Sequence, residues 1–164
     1  MTNSGGQSEP RWLSVLEQQA WRAYLRASRS LEAVLDCDLQ SHGIGLSEYE
    51  LMSMLSEAPQ DRMRMSALAD LVVQSRSRVT HTAARLERRG WVVREACLDD
   101  RRGVELVLTD AGRAEVEEMA RIHVESVRAH FIDLLSTDQV EVITDVMSRV
   151  YRSASGTSED TPIR

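Results

Sequence analysis

The chain holds two cysteines, Cys37 and Cys97, far apart in 164 residues. They are too few for a disulfide framework and too distant for a CxxC-type metal site, so free structural thiols in a reducing compartment are expected. Redox sensing through either would need a depressed thiol pKa, which sequence does not display. Lysine is absent: all 20 basic residues are arginine, a bias that high-GC coding explains without any special demand for guanidinium chemistry. No apolar run is long enough to cross a bilayer, and the opening "MTNSGGQSEP" has neither the basic start nor the apolar centre of a secretory signal. A cytoplasmic protein with no membrane partner is therefore expected. Also missing are HExxH, Ser-His-Asp and Gly-rich phosphate motifs. The histidines best suited to an enzyme, His42, His123 and His130, stand outside any such pattern, so neither enzymatic activity nor a cofactor is expected.

What is present is a chain long enough for one domain with an oligomerisation element. Its net charge of −6 argues at first against a nucleic-acid partner, but the charge is unevenly spread. Between Gln60 and Glu105 stand ten arginines and seven acids, giving +3 there and −9 in the flanks.

Local patterns place the elements. From Trp12 to Gln40 neither Pro nor Gly interrupts, and Leu13, Leu16, Ala20, Tyr24, Ala27, Leu31 and Val34 recur at a helical period, predicting one long helix. "SHGIG" breaks it. Ser47 is the expected cap of a short helix through Leu55, and Ser66 that of a second over "SALADLVV", with Leu68, Ala69 and Val72 inward. A third helix starts near Ser75 and stops at Gly90. "WVVRE" and "VELVL", rich in Val, Leu and Trp and separated by a polar segment, predict a β-hairpin. Thr109 then caps a helix to about Leu135, with Val116, Met119, Ala120, Val127, Phe131 and Leu134 on one stripe. A last helix follows "STD" with Val142, Val146 and Val150 on one side. The fold class is mainly α with a small β-hairpin wing, a winged helix-turn-helix plus a helical dimerisation region.

The third short helix can be tested by angle. At about 100° per residue, Val79, Ala83 and Leu86 share an inward arc. The opposite arc carries Ser77, His81 and Arg88, flanked by Arg78, Thr80 and Arg85, with no acid and no large apolar residue among them. Such donors near a helix N-terminus match what base edges and phosphates accept in a major groove. The ordinary alternative is a solvated basic face. The hairpin's "LDDRRG" would likewise be a solvated turn, were it not placed directly after this helix.

With that hairpin in place the chain resembles the MarR (multiple-antibiotic-resistance regulator) family from about Trp12 to Tyr151. The wing pattern, Asp-x-Arg and a hydrophobic residue followed by Leu-Thr-x-x-Gly, is matched by Asp100, Arg102, Leu106, Leu108, Thr109 and Gly112. "LADLVVQSRSRVTHTAARLERRGWVVRE" is similar to the family's helix-turn-helix running into its first wing strand. The resemblance implies a homodimeric winged-helix transcription factor, most often a repressor, acting on a double-stranded DNA operator. It places Ser75, Arg76, Ser77, Arg78, Thr80 and His81 at the major-groove reading end. Arg85, Arg88 and Arg101 belong with them as DNA-binding residues, and Arg102 becomes a minor-groove arginine positioned by Asp100. His81 departs from the Arg or Lys that many members carry there.

The implied organisation is a disordered tail over 1–10, a dimerisation helix in 11–45, the winged helix-turn-helix lobe in 46–109, dimerisation helices in 110–152 and a second tail over 153–164. Burial supports the dimer independently, because three long apolar stripes outside a small core need a second copy to cover them. A small-molecule effector is a candidate partner through a cleft lined by Trp21, Tyr24 and His42, although aromatics on a helix are more often plain core. Asp36, Cys37, His42 and His123 are conceivable metal ligands without diagnostic spacing. His123 falls on the apolar stripe and reads first as a hydrogen-bonded core histidine, so no metal site is assigned.

Overall fold

The computed structural model describes residues 10–97 and 103–156. Six helices and three short strands follow in the order α1 (Val15–Gln40), α2 (Leu46–Glu57), β1 (Arg62–Arg64), α3 (Met65–Leu71), α4 (Arg76–Arg88), β2 (Val92–Ala96), β3 (Val104–Leu108), α5 (Asp110–His130) and α6 (Thr137–Ser155). The predicted tails fall mostly outside these residues. Within them, α6 continues through Ser155 and is closed by Gly156 at φ +67°, past the end read from sequence.

Several helix starts follow from local capping. Ser14 and Glu17 form a reciprocal capping box on α1, and Ser136 with Gln139 does the same for α6. Ser75 accepts from the Arg78 amide and Thr109 from the Gly112 amide, as their positions predict. Two expected caps are corrected. The N-cap of α2 is Gly45 rather than Ser47, and its amides are held by carboxylates: Glu48 accepts from Gly45 N at 3.0 Å and Asp36 from Leu46 N at 2.8 Å. The N-cap of α3 is Arg64 rather than Ser66, and α3 stops at Leu71. Likewise α5 ends at His130, and Ile132–Leu134 form a separate 3-10 turn instead of prolonging the helix to Leu135.

The predicted two-stranded hairpin is part of a three-stranded antiparallel sheet of order β1-β3-β2. Arg62, Met63 and Arg64 pair with Val107, Leu106 and Glu105. Gln60 and Asp61, both at φ +57°, turn the chain into β1. Arg113 of α5 forms an ion pair with Asp61 that pins this turn. In the hairpin Glu95 lies directly opposite Glu105, a like-charge pairing that costs stability. Arg62 offsets it by reaching both, at 3.1 and 3.5 Å.

The core joins the inward faces of these elements. Leu35 and Leu39 of α1 meet Leu51, Met52 and Leu55 of α2, Leu68 of α3, Val79, Ala83 and Leu86 of α4, Leu106 of β3, and Val116 and Met119 of α5. By contrast α6 buries no residue, and apolar side chains along α1 and α6 stay open: Val15 is 73% exposed, Leu16 74% and Val142 61%.

Candidate nucleic-acid interface

The inward arc of α4 is as the helical angle predicts, with Val79, Ala83 and Leu86 buried and Thr82 joining them. Ser75, Arg76, Ser77, Arg78, Thr80, His81, Arg85 and Arg88 are all exposed. At the helix start the hydroxyls of Ser75 and Ser77 lie 3.1 Å apart, and Thr80 donates to the Arg76 carbonyl at 2.8 Å. The side chains of Arg76, His81 and Arg88 make no hydrogen bond or ion pair with a described residue, which leaves their donors available to a ligand. Arg78 faces Glu50, whose carboxyl is raised above the usual range first by burial and then by Glu32, against the opposing pull of Arg78 and a hydrogen bond from Gln74.

Arg85 differs from its neighbours. Its Nε donates to Glu48 at 2.9 Å and its Nη2 to the Thr82 hydroxyl at 3.4 Å, so part of its guanidinium is engaged inside the protein. Arg94 of β2 donates to the Thr80 carbonyl at 3.1 Å and lies 3.8 Å from Glu87, tying the wing to α4. Arg89 covers the Trp91 ring at 4.6 Å and donates to the Gly43 carbonyl at 2.7 Å.

The far end of the hairpin closes with the Cys97 amide donating to the Gly103 carbonyl at 3.0 Å. Asp100, Arg101 and Arg102, the predicted wing tip, lie outside the described residues. Beside this closure a groove of about 380 Å³ runs between the start of α3, α4 and β3, lined by Arg64, Ser66, Arg76, Thr80 and Gly103 among others. Sequence reading missed Arg64, whose only signal was its place in the basic middle third. Its position beside Arg76 extends the arginine-bearing surface from α4 toward the wing.

The predicted effector trio does not share one pocket. Tyr24 lines an apolar cleft of about 820 Å³ between α1, α5 and α6 together with Phe131 and Met147. Trp21 stacks on Tyr24 with ring centroids 5.8 Å apart. His42 lies past the end of α1, its Nδ1 within 2.9 Å of the Ser41 hydroxyl and 3.0 Å of the Asp38 carbonyl. A separate polar cleft of about 960 Å³ lies between α1 and the helix-turn-helix, with Arg29, Arg78, Arg85 and Arg89 facing Glu32, Asp36 and Glu50.

The four conceivable metal ligands are not gathered, and no group of three or more metal-binding side chains occurs among the described residues. Asp36 is committed to Leu46 N and Gln40, and Cys37 is exposed. His123 packs on Tyr49 with ring centroids 4.7 Å apart, and its buried Nδ1 has no hydrogen-bond partner among the described residues, unlike the hydrogen-bonded core histidine expected. Burial holds its pKa below the usual histidine value.

A helix-turn-helix whose second helix presents serine, threonine, histidine and arginine, followed by a sheet-borne wing, defines the winged helix-turn-helix class of transcription regulators. The MarR family model matches residues 44–104. AbsC, a MarR family transcriptional regulator from Streptomyces coelicolor, is similar in structure with a TM-score of 0.85 and 41% sequence identity, over 90% of this chain and 100% of that one. Sco3205 from the same organism, a MarR family transcriptional regulator crystallised in complex with DNA, gives a TM-score of 0.86 and 38% identity over 93% of this chain and 95% of its own. YkoM of Bacillus subtilis (strain 168), an HTH-type transcriptional regulator, is 28% identical over 124 residues, 75% of this chain and 79% of its own. The chain belongs to the MarR family of DNA-binding transcriptional regulators, a family of regulators rather than enzymes.

Proposed function

We propose that the protein is a homodimeric repressor acting in the cytoplasm on a pseudo-palindromic operator. The observation that carries this reading is the outward face of α4, where the side chains of Arg76, His81 and Arg88 are unengaged by described residues at the end of the molecule that also bears the wing, while the one acid of this helix, Glu87, lies 3.8 Å from Arg94. The similarity to Sco3205, whose structure contains DNA, points the same way. Ser75, Arg76, Ser77, Arg78, Thr80 and His81 then read base edges and neighbouring phosphates, and Arg88 contacts the phosphate backbone. Arg101 and Arg102 extend the contact from the wing, Arg102 entering a narrow A·T-rich minor groove with Asp100 orienting it.

Twofold symmetry is supported by the open apolar faces of α1 and α6, which a second copy would cover. The half-sites then stand about 10 bp apart or a multiple of it. A small-molecule effector fits best in the polar cleft between α1 and the helix-turn-helix, because its Arg78 also belongs to the reading end.

Enrichment from a random duplex pool followed by footprinting tests the whole reading. A symmetric footprint is expected, with Ser77→Ala and Arg78→Ala relaxing sequence discrimination and Arg88→Ala weakening all duplexes alike. Arg102→Ala should lower the salt slope by about one per phosphate interaction lost in each subunit, with folding intact, and Asp100→Ala should show a milder version of the defect. A stable monomer in sedimentation, or no enriched sequence, would refute it.

A further inference from the structure

Glu48 is a carboxylate held at 6% exposure in the first turn of α2. Taking such a group out of water is costly unless its oxygens are matched by donors, and here both are. Oε2 accepts from the Gly45 amide at 3.0 Å, and Oε1 from Arg85 Nε at 2.9 Å. Arg85 is steadied in turn by Thr82, a hydroxyl 1% exposed on the inner side of α4. The chain of contacts continues in the other direction. The next amide of α2, Leu46 N, donates at 2.8 Å to Asp36 of α1, whose second oxygen accepts from Gln40 at 2.5 Å. The start of α2 is thus clamped to α1 on one side and to α4 on the other by two carboxylates.

We propose that Glu48 is a positioning residue for DNA recognition, and that Arg85 is its strut rather than a phosphate ligand. This rests on the reading of α4 as the recognition helix. An ion pair between a buried carboxylate and a guanidinium that stays partly exposed adds little net stability, because solvent screens the attraction on one side while the carboxylate is desolvated on the other. What it fixes is geometry: Oε1 sets where α4 lies along α2, and Asp36 refers that position to α1. Recognition needs this because hydrogen bonds to base edges tolerate only a few tenths of an ångström, and supporting groups must hold the reading side chains to about 0.5 Å. In a dimer built on α1, the same linkage also sets the separation of the two reading helices.

The competing reading makes Arg85 a phosphate ligand that Glu48 holds back, and it predicts the opposite sign. Removing the Glu48 charge would then free a guanidinium, tighten binding and steepen the salt dependence.

The test compares the wild type with Glu48→Gln, Arg85→Gln and the double variant. Two duplexes are used: the one the wild type enriches from a random pool, and an unrelated sequence of equal length. Each single substitution is expected to lower the ratio of specific to non-specific affinity about tenfold, with the slope of log K against log salt unchanged. Each single variant should also melt below the wild type, because it leaves one charged partner unmatched. The double variant, with no orphaned charge, should recover most of the melting temperature but not the specificity ratio, a split that a purely structural role would not produce. Tighter binding or a steeper slope in Glu48→Gln, a slope reduced by about one per subunit in Arg85→Gln, or a double variant that regains full specificity overturns the proposal. So do unchanged ratios in all three variants while the wild type still enriches a duplex, and in that case the reading of α4 survives. If the wild type enriches no duplex, that reading fails and this proposal fails with it.

Discussion

Gly112 offers a direct test of how the wing is joined to the helical region. A Cβ built there would stand 2.1 Å from the Trp91 carbonyl oxygen and 2.8 Å from Leu108 Cδ1. Regaining an ordinary contact of 3.4 Å requires a shift of about 1.3 Å, the difference of the two distances. The carbonyl cannot move freely, since it accepts the Thr109 amide at 3.0 Å. Nor can the start of α5, because the Thr109 hydroxyl donates to Gly90 O at 2.7 Å while accepting from Gly112 N at 3.1 Å. Gly112→Ala therefore carries an overpacking cost of about 1–3 kcal/mol. Loss of one hydrogen bond or cap adds about 1 kcal/mol, and the better helix propensity of alanine returns up to about 1 kcal/mol. The net loss is about 1–4 kcal/mol, which for a chain of this length lowers the melting temperature by about 2–16 °C. Thermal unfolding followed by circular dichroism at matched protein concentration reads it out. Gly90→Ala is the control: at φ +74° with nothing within 4 Å of a new Cβ, it should lose only the left-handed penalty of about 1–2 kcal/mol. A Gly112→Ala protein that melts at or above the wild-type temperature would refute the close approach.

Three further outcomes are expected. Val73, a β-branched residue at φ +51° and 72% exposed in the turn before α4, gives up little burial on substitution, so Val73→Gly should raise stability by about 0.5–1 kcal/mol after the entropy cost of glycine; a lower melting temperature would contradict this. Burial depresses the pKa of His123, so the unfolded chain takes up its proton first as pH falls through the ordinary histidine range and the native state loses stability there; His123→Phe should show a smaller drop in melting temperature between about pH 7.5 and 5.5 than the wild type, and an equal drop would place the loss elsewhere. Arg62→Ala leaves Glu95 and Glu105 facing each other without their shared partner, which should speed amide exchange in β2 and β3 at low salt and less so at about 0.5 M salt, where screening weakens the repulsion; salt-independent exchange would sink the idea.

The parts of this fold legible in the sequence are those written in short-range chemistry. The α4 face could be read because its period is local, and Ser75 and Thr109 could be named because each caps an amide three residues ahead. The start of α2 could not, because serine at 47 has the better intrinsic preference while the acceptors used are Glu48 and, ten positions upstream, Asp36. Strand β1 is three residues of Arg-Met-Arg with no period to detect; it forms because the edge of β3 is free to pair and Arg113, 52 positions away, holds the preceding turn. The effector trio failed to converge for a similar reason: which aromatics share a cleft depends on how α1, α5 and α6 pack. Arg85 is outward by helical angle and yet tied to Glu48 across 37 positions, a pairing no local pattern contains.

The same distinction resolves the acidic net charge. A total of −6 would repel a duplex if the charge were spread evenly, but the acids nearest α4 are matched one by one. Glu48 is paired with Arg85, and Glu87 lies within reach of Arg94. Glu50 accepts from Gln74 with Arg78 nearby, and its burial favours the uncharged form. The surplus of negative charge resides in the flanks, where α1, α5 and α6 lie, while Arg76 and Arg88 stand on α4 without an acidic partner among the described residues. Since screening limits the reach of exposed charges to about 8 Å at physiological salt, a duplex lying against α4 would meet those arginines first, and the sign of the whole chain says little about the face that binds.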